Sequence, residues 1–149
     1  MENKFSFLKN LTEKLNHSNT SFWDHLYGTG YLLWKLGEPE YICDAGLYHA
    51  VYDTSIYKAE LNITRKQIKE LIGKKAENLV YIFCKLEKRT KTLLNKQDIP
   101  KDIHLDLLKI EYANLIEQNR EPTNLKKMID AVNQKILDIQ NKNDFIARI

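Results

Sequence analysis

The stretch His25-Leu26-Tyr27-Gly28-Thr29-Gly30-Tyr31-Leu32-Leu33-Trp34-Lys35-Leu36-Gly37, followed by Cys43-Asp44-Ala45-Gly46-Leu47-Tyr48-His49, decides how this chain reads. Both segments carry helical periodicity, in which residues three, four and seven apart share a face. From His25 that face holds Gly28, Thr29, Leu32 and Leu36, and from His49 it holds Ile42, Ala45 and Gly46. Each histidine therefore looks to the apolar side of its helix, beside small residues that let helices approach closely. Two imidazoles brought together by packed helices allow an all-helical domain to build a metal site from few residues.

Working outward, the same period recurs along the chain. Apolar positions 5, 8, 11 and 15 mark a helix from Phe5 to Leu15. Asn19-Thr20-Ser21 offers capping side chains for a helix over 22–36, which Gly37 can stop. Pro39 suits the first turn of a helix over 40–51. Thr64 caps a further helix whose apolar face is Ile68, Leu71 and Ile72, and Gly73 breaks the chain before a helix over 76–86. Asp98-Ile99-Pro100 leads into a helix over 101–118, Arg120-Glu121-Pro122 ends it, and a final amphipathic helix uses Leu125, Met128, Ile129, Val132, Ile136 and Ile139. The longest irregular stretch, 52–62, follows directly on His49, where a rigid scaffold can place functional groups. The expectation is an all-α single domain over 1–149 with about six to seven helices.

Composition bounds what this domain does. A chain of 149 residues buries roughly 68–70% of its unfolded surface, enough for one substantial core. The 23 basic and 20 acidic residues are interspersed, and a net charge of +3 argues against a DNA surface. No apolar run approaches the ~18 residues of a membrane span, and the N-terminus has no signal-peptide pattern. Cys43 and Cys84 stand in no metal-type spacing, which suits reduced thiols and a cytoplasmic location. Five glycines and three prolines leave little material for the turns of a β-rich fold.

A second polar set lies on the helix over 101–118. Ile103, Leu107, Ile110 and Asn114 form one stripe, and Glu111 lies beside it with Leu108 and Leu115. An unsatisfied buried polar group costs ~1–3 kcal/mol, so inward-facing Asn114 and Glu111 need partners. A cluster of His25, His49, Asn114 and Glu111 meets that need, around a metal or by mutual hydrogen bonds. His17, on the loop before the helix together with Ser18, could swing over the site. A set of His17, His25 and His49 suits zinc or ferrous iron better than magnesium. The alternative for His17 is a loop histidine bonding locally. His104 reads as surface or interface. Tyr48, Tyr52, Tyr57, Trp23 and Trp34 could line a pocket or fill the core. Lys58, Arg65, Lys66 and Lys69 could meet a phosphorylated ligand or simply be solvated. The basic stretch Lys85–Arg89 reads as a favourable helix end. No phosphate-binding glycine loop, dinucleotide fingerprint or nucleophile elbow occurs.

His25 through Gly37 resembles the first helix motif of the HD-domain superfamily, closest in pattern to the stringent-response alarmone hydrolases, in which a histidine opens a helix ending in leucine-glycine. Ala45-Gly46-Leu47-Tyr48-His49-Ala50 resembles their Ala-x-Leu-Leu-His-Asp segment. Ile72-Gly73-Lys74-Lys75-Ala76-Glu77-Asn78-Leu79-Val80 is similar to a later Phe-Gly-x-x-Val-Ala-x-Leu-Val stretch, and Lys109-Ile110-Glu111-Tyr112-Ala113-Asn114-Leu115 to the helix carrying the last metal-binding aspartate. The likeness covers roughly residues 20–120. It implies a small HD-like branch with an altered metal motif: Ala50 stands where the paired aspartate belongs, and Asn114 replaces the last one. Both changes remove carboxylate that hard ions prefer. The resemblance also implies that Asp53, four residues past His49, orients or deprotonates the attacking water, while Glu111, from its place on the helix face, is a candidate to complete the metal shell or to act as a catalytic acid.

Three functions follow as expectations. The first is a metal-dependent phosphohydrolase acting on a nucleotide or small phosphoester, with zinc, iron or manganese held by His25, His49, Asn114 and His17. The second is a non-catalytic HD-like module that binds a small molecule or protein partner. The third is an iron-dependent HD-type oxygenase, which Ala50 disfavours because a two-iron site needs a bridging carboxylate. A homodimer stays open among the partners; DNA and membrane do not.

Overall fold

The computed structural model describes residues 3–17, 20–54, 57–95, 98–118 and 125–148, with backbone alone from 142 onward. Eight helices are described: α1 (Lys4–Thr12), α2 (Phe22–Lys35), α3 (Glu40–Leu47), α4 (Arg65–Ile72), α5 (Lys74–Lys85), α6 (Arg89–Asn95), α7 (Lys101–Gln118) and α8 (Lys126–Arg148). The all-α class stands. Two features were not anticipated: the two-residue strands β1 (Asn16–His17) and β2 (Thr20–Ser21), paired antiparallel, and α6 itself. Ser18, Asn19 and the Arg120-Glu121-Pro122 stop lie outside the described residues.

The helix ends follow local chemistry. Asn3 caps α1 by accepting the Phe5 amide at 2.7 Å, and Ser21 caps α2 by accepting the Asp24 amide at 3.0 Å. Gly37, at φ 79°, closes α2, and the Glu38 amide turns back to the Leu33 carbonyl at 3.1 Å. Thr64 and Gln67 form a reciprocal capping box on α4. Gly73, at φ 88°, lets the chain turn directly from α4 into α5. Helix α3 stops at Leu47, earlier than the periodicity suggests, and the Tyr48 and Val51 amides close turns instead.

Helix α2 is the centre of the packing. It lies most extensively on α3 and next on α7, which in turn supports α8, while α5 covers α3. Gly46 sets the α2–α3 approach, because a Cβ there would collide with Leu33 Cδ1. Phe22, Leu26, Leu33, Ile42, Tyr48, Val80, Phe83, Leu107 and Ile110 are fully or almost fully buried, each such side chain contributing roughly 1.5–3 kcal/mol. His104 is a correction to the surface reading: it is buried and donates from Nε2 to the Leu93 carbonyl at 2.6 Å, tying α7 to α6. No helix among the described residues is long and apolar enough to cross a membrane.

Candidate metal centre

His25 is on the inner face of α2, one turn above Thr29, whose hydroxyl donates to the His25 carbonyl at 2.9 Å. His49 sits in the turn after α3. Its carbonyl accepts the Cys84 thiol from α5 at 3.1 Å, and the Phe83 ring stands edge-on to its imidazole at 5.7 Å. Both histidines are buried, and their Nε2 atoms face each other at 3.1 Å. Two nitrogens ~2.1 Å from a common ion are separated by this distance when the angle between them is about 95°. The spacing therefore fits a shared proton or a shared ion.

The outer nitrogens distinguish these cases. His49 Nδ1 lies 2.7 Å from the Gly46 carbonyl, which can only accept, so that nitrogen carries the proton and Nε2 is bare. His25 Nδ1 lies 3.5 Å from Glu117 Oε1. If His25 Nε2 donates to His49, a neutral His25 turns a lone pair toward the Glu117 carboxylate, and an extra proton is needed to relieve it. If both Nε2 atoms instead face an ion, His25 Nδ1–H points at Glu117 and both rings are neutral. Metal-bound histidines are commonly oriented in this way by a carboxylate or carbonyl on the far nitrogen. Gly28 makes the room, since a Cβ there would stand 2.5 Å from Glu117 Oε2.

His17, on β1, stacks on His25 with ring centroids 4.2 Å apart and planes 3° apart. Its in-plane lone pairs are parallel to those of His25 rather than convergent with them. In this arrangement His17 covers the pair, with Tyr57 and Phe22 against it at 4.7 and 5.9 Å. Burial, then the neighbouring His25, pushes His17 down to about 4. Burial, followed by His25, also holds His49 well below the usual imidazole range. These effects keep His17 and His49 neutral, the state a metal ligand requires.

The expected acids are engaged elsewhere. Asp53 braces its own loop by accepting the Glu60 amide at 3.0 Å. Glu111 accepts the Thr90 hydroxyl at 2.8 Å and the Asn114 amide at 2.9 Å, with Arg89 Nε at 3.5 Å. Asn114 Oδ1 and Arg89 Nε are buried without a hydrogen-bond partner. Lys85 lies in the last turn of α5, as the basic stretch suggests, while the Arg89 side chain is largely covered. Its guanidinium lies 4.0 Å over Phe83, the ring that meets His49, and its charge further lowers both His49 and His17. Among the described residues no three His, Cys, Asp or Glu side chains form a metal-type group, and the unpaired Asn114 oxygen is the further candidate donor the sequence singled out. The two facing imidazole nitrogens are the kind of donor that zinc or ferrous iron prefers over magnesium.

The aromatic residues divide. Tyr48 is core, its hydroxyl donating to the Lys4 carbonyl at 2.6 Å, and Tyr52 donates to Glu77 at 2.7 Å. Trp34, with Tyr27 and Tyr31, lines a cavity of about 680 Å³ on the outer face of α2, away from the histidines. Its polar residues are already paired, Lys4 with Asp44 and Glu38 with Lys109.

The fold and site thus define an all-helical domain with a buried pair of facing histidines. Residues 7–88 match the family described as Domain of unknown function (DUF6817), and the chain belongs to that family. The matched span includes His17, His25, His49 and Asp53, whereas Asn114 and Glu117 lie beyond it on α7. No curated protein and no solved structure matches the chain.

Proposed function

We propose that the domain holds one divalent transition-metal ion on Nε2 of His25 and His49, with Asn114 Oδ1 as the available oxygen donor, and hydrolyses a small phosphoester or nucleotide. The observation that carries this reading is the facing Nε2 pair at 3.1 Å, with a hydrogen-bond acceptor opposite each outer nitrogen. Nitrogen donors favour zinc or ferrous iron over magnesium. When bound, such an ion supplies Lewis acidity toward a phosphoryl oxygen and toward water. Gly46 and Glu117 hold the two rings in orientation, and Phe83 and the stacked His17 limit water around them. The resemblance to HD-type hydrolases supports the reaction class. The free thiols of Cys43 and Cys84 agree with a cytoplasmic setting.

Elemental analysis of untagged protein purified without chelator, beside His25→Ala and His49→Ala, tests the centre. The expected result is close to one equivalent in the wild type and none in either variant. A folded wild type that takes up neither zinc nor ferrous iron on reconstitution overturns it. The engagement of Asp53 and Glu111 away from the histidines favours a second reading, a metal-binding module without hydrolysis. Full metal content with no turnover of phosphoesters would select it.

A further inference from the structure

We propose that Arg89 forms an oxyanion-binding position beside the histidine pair, taking the phosphoryl group of a small-molecule ligand. This deepens the hydrolase reading and rests on it only for placing that anion next to an ion. The argument begins with unused hydrogen-bonding capacity. A guanidinium offers five N–H donors in one plane. The guanidinium carbon lies 4.0 Å over the Phe83 ring, which supplies a cation–π contact and no oxygen acceptor for the N–H groups. The acceptor recorded beside Nε is Glu111 Oε2 at 3.5 Å, an oxygen already bonded to the Thr90 hydroxyl at 2.8 Å. Nε itself is buried with no hydrogen-bond partner. A buried polar group left this way is costly, and a recurring reason for one is a ligand that completes it.

The second orphan in the same cluster has the opposite polarity. Asn114, almost fully buried, donates its amide to Glu111 Oε1 at 2.9 Å and leaves Oδ1 without a partner. An orphaned acceptor calls for a donor or a cation, and the unpaired Arg89 Nε–H calls for an acceptor closer than Glu111. A phosphoryl oxygen supplies the acceptor that Arg89 Nε lacks, and a cation held with it would meet the Asn114 oxygen. Phe83 links the two sets, carrying Arg89 on its face and presenting its edge to His49. The planar fork of arginine matches phosphate oxygens in pairs, a match lysine does not reproduce.

The test uses inorganic phosphate as the probe and the full chain, followed by calorimetry and thermal denaturation. Zinc-loaded wild type is expected to bind phosphate, and more tightly than the chelator-treated protein, because Glu111 offsets part of the Arg89 charge. Arg89→Lys should weaken phosphate at least tenfold while zinc affinity stays within twofold. Arg89→Met combined with Glu111→Gln removes both charges together, so a folded variant is retained even if the single change unfolds. Acetate in parallel separates a phosphoryl preference from general carboxylate binding. Phosphate binding by chelator-treated wild type that is lost in the Arg89 variants supports the site even if no metal binds. Unchanged phosphate affinity in both Arg89 variants overturns it, as does a wild type that binds no phosphate in either state or prefers acetate.

Discussion

The molecule buries two glutamates against two arginines, and the two clusters differ in completion. Glu77 on α5 is fully buried and receives both Arg65 Nε and Nη2 at 2.9 Å, with the Tyr52 hydroxyl at 2.7 Å. The Arg65 guanidinium also lies 3.7 Å over Tyr81. Glu111 on α7 is equally buried, but its arginine stands off at 3.5 Å, and Arg89 Nε and Asn114 Oδ1 lack partners. The first cluster is closed: every strong bond is made within the chain, which suits a structural strut between the loop, α4 and α5. The second retains one donor and one acceptor unused, and its arginine meets His49 only through the Phe83 ring. Natural interiors leave few such atoms unpaired, and that is why the proposed ligand is assigned to the unfinished cluster rather than to the tighter ion pair.

The largest expected effect tests the closed cluster. Glu77→Ala should cost about 2–3 kcal/mol in urea denaturation, because three charge-assisted bonds are lost from a buried position. A loss below about 0.5 kcal/mol would break the contrast with Glu111. The same cluster has a pH signature. Burial alone would push the Glu77 carboxyl up, but the Arg65 and Tyr52 hydrogen bonds outweigh it and hold the group below the usual range. A depressed carboxyl contributes stability that is complete above its unfolded value of about 4.3 and is lost as pH falls through the lower folded value. Wild type should therefore lose stability more steeply than Glu77→Gln below about pH 4.3, read from urea midpoints at a series of pH values. Equal slopes would remove Glu77 as the source.

Two smaller effects probe the open side. Gly28→Ala places a methyl group against Glu117 and should displace the carboxylate from His25, lowering zinc affinity about tenfold with little change in thermal stability. Unchanged zinc affinity would mean that Glu117 does not orient the ring. Asn114→Leu should cost about 1–2 kcal/mol, less than Glu77→Ala, because removing the orphaned acceptor offsets part of the loss of the amide donor from Glu111 Oε1. Its zinc affinity should fall nonetheless. A stability loss as large as that of Glu77→Ala would show that the second cluster is as structural as the first.

The helical periods, the Ser21 and Thr64 caps and the Gly37 and Gly73 breaks were legible because each is local: it depends on residues within one turn. The inward direction of His25, His49, Glu111 and Asn114 was legible for the same reason. Helix α6 escaped because it is a seven-residue helix with few apolar anchors, of which Leu93 is the buried one. Glu117 escaped as well, although it follows Asn114 by three residues on one helix face, because a glutamate near a helix end ordinarily reads as solvated. Arg89, at the end of a basic stretch, was masked in the same way.

By itself the sequence determined an all-helical domain and the two histidines that turn inward, since periodicity and capping act through near neighbours. Only the tertiary structure decided that their Nε2 atoms meet, that His17 stacks over them instead of joining them, and that Glu117 rather than Asp53 or Glu111 is the carboxylate beside them. Those outcomes depend on how closely α2 approaches α3 and α7. Gly46 and Gly28 permit that approach by having no side chain, and the absence of a side chain gives no indication of which partner fills the space.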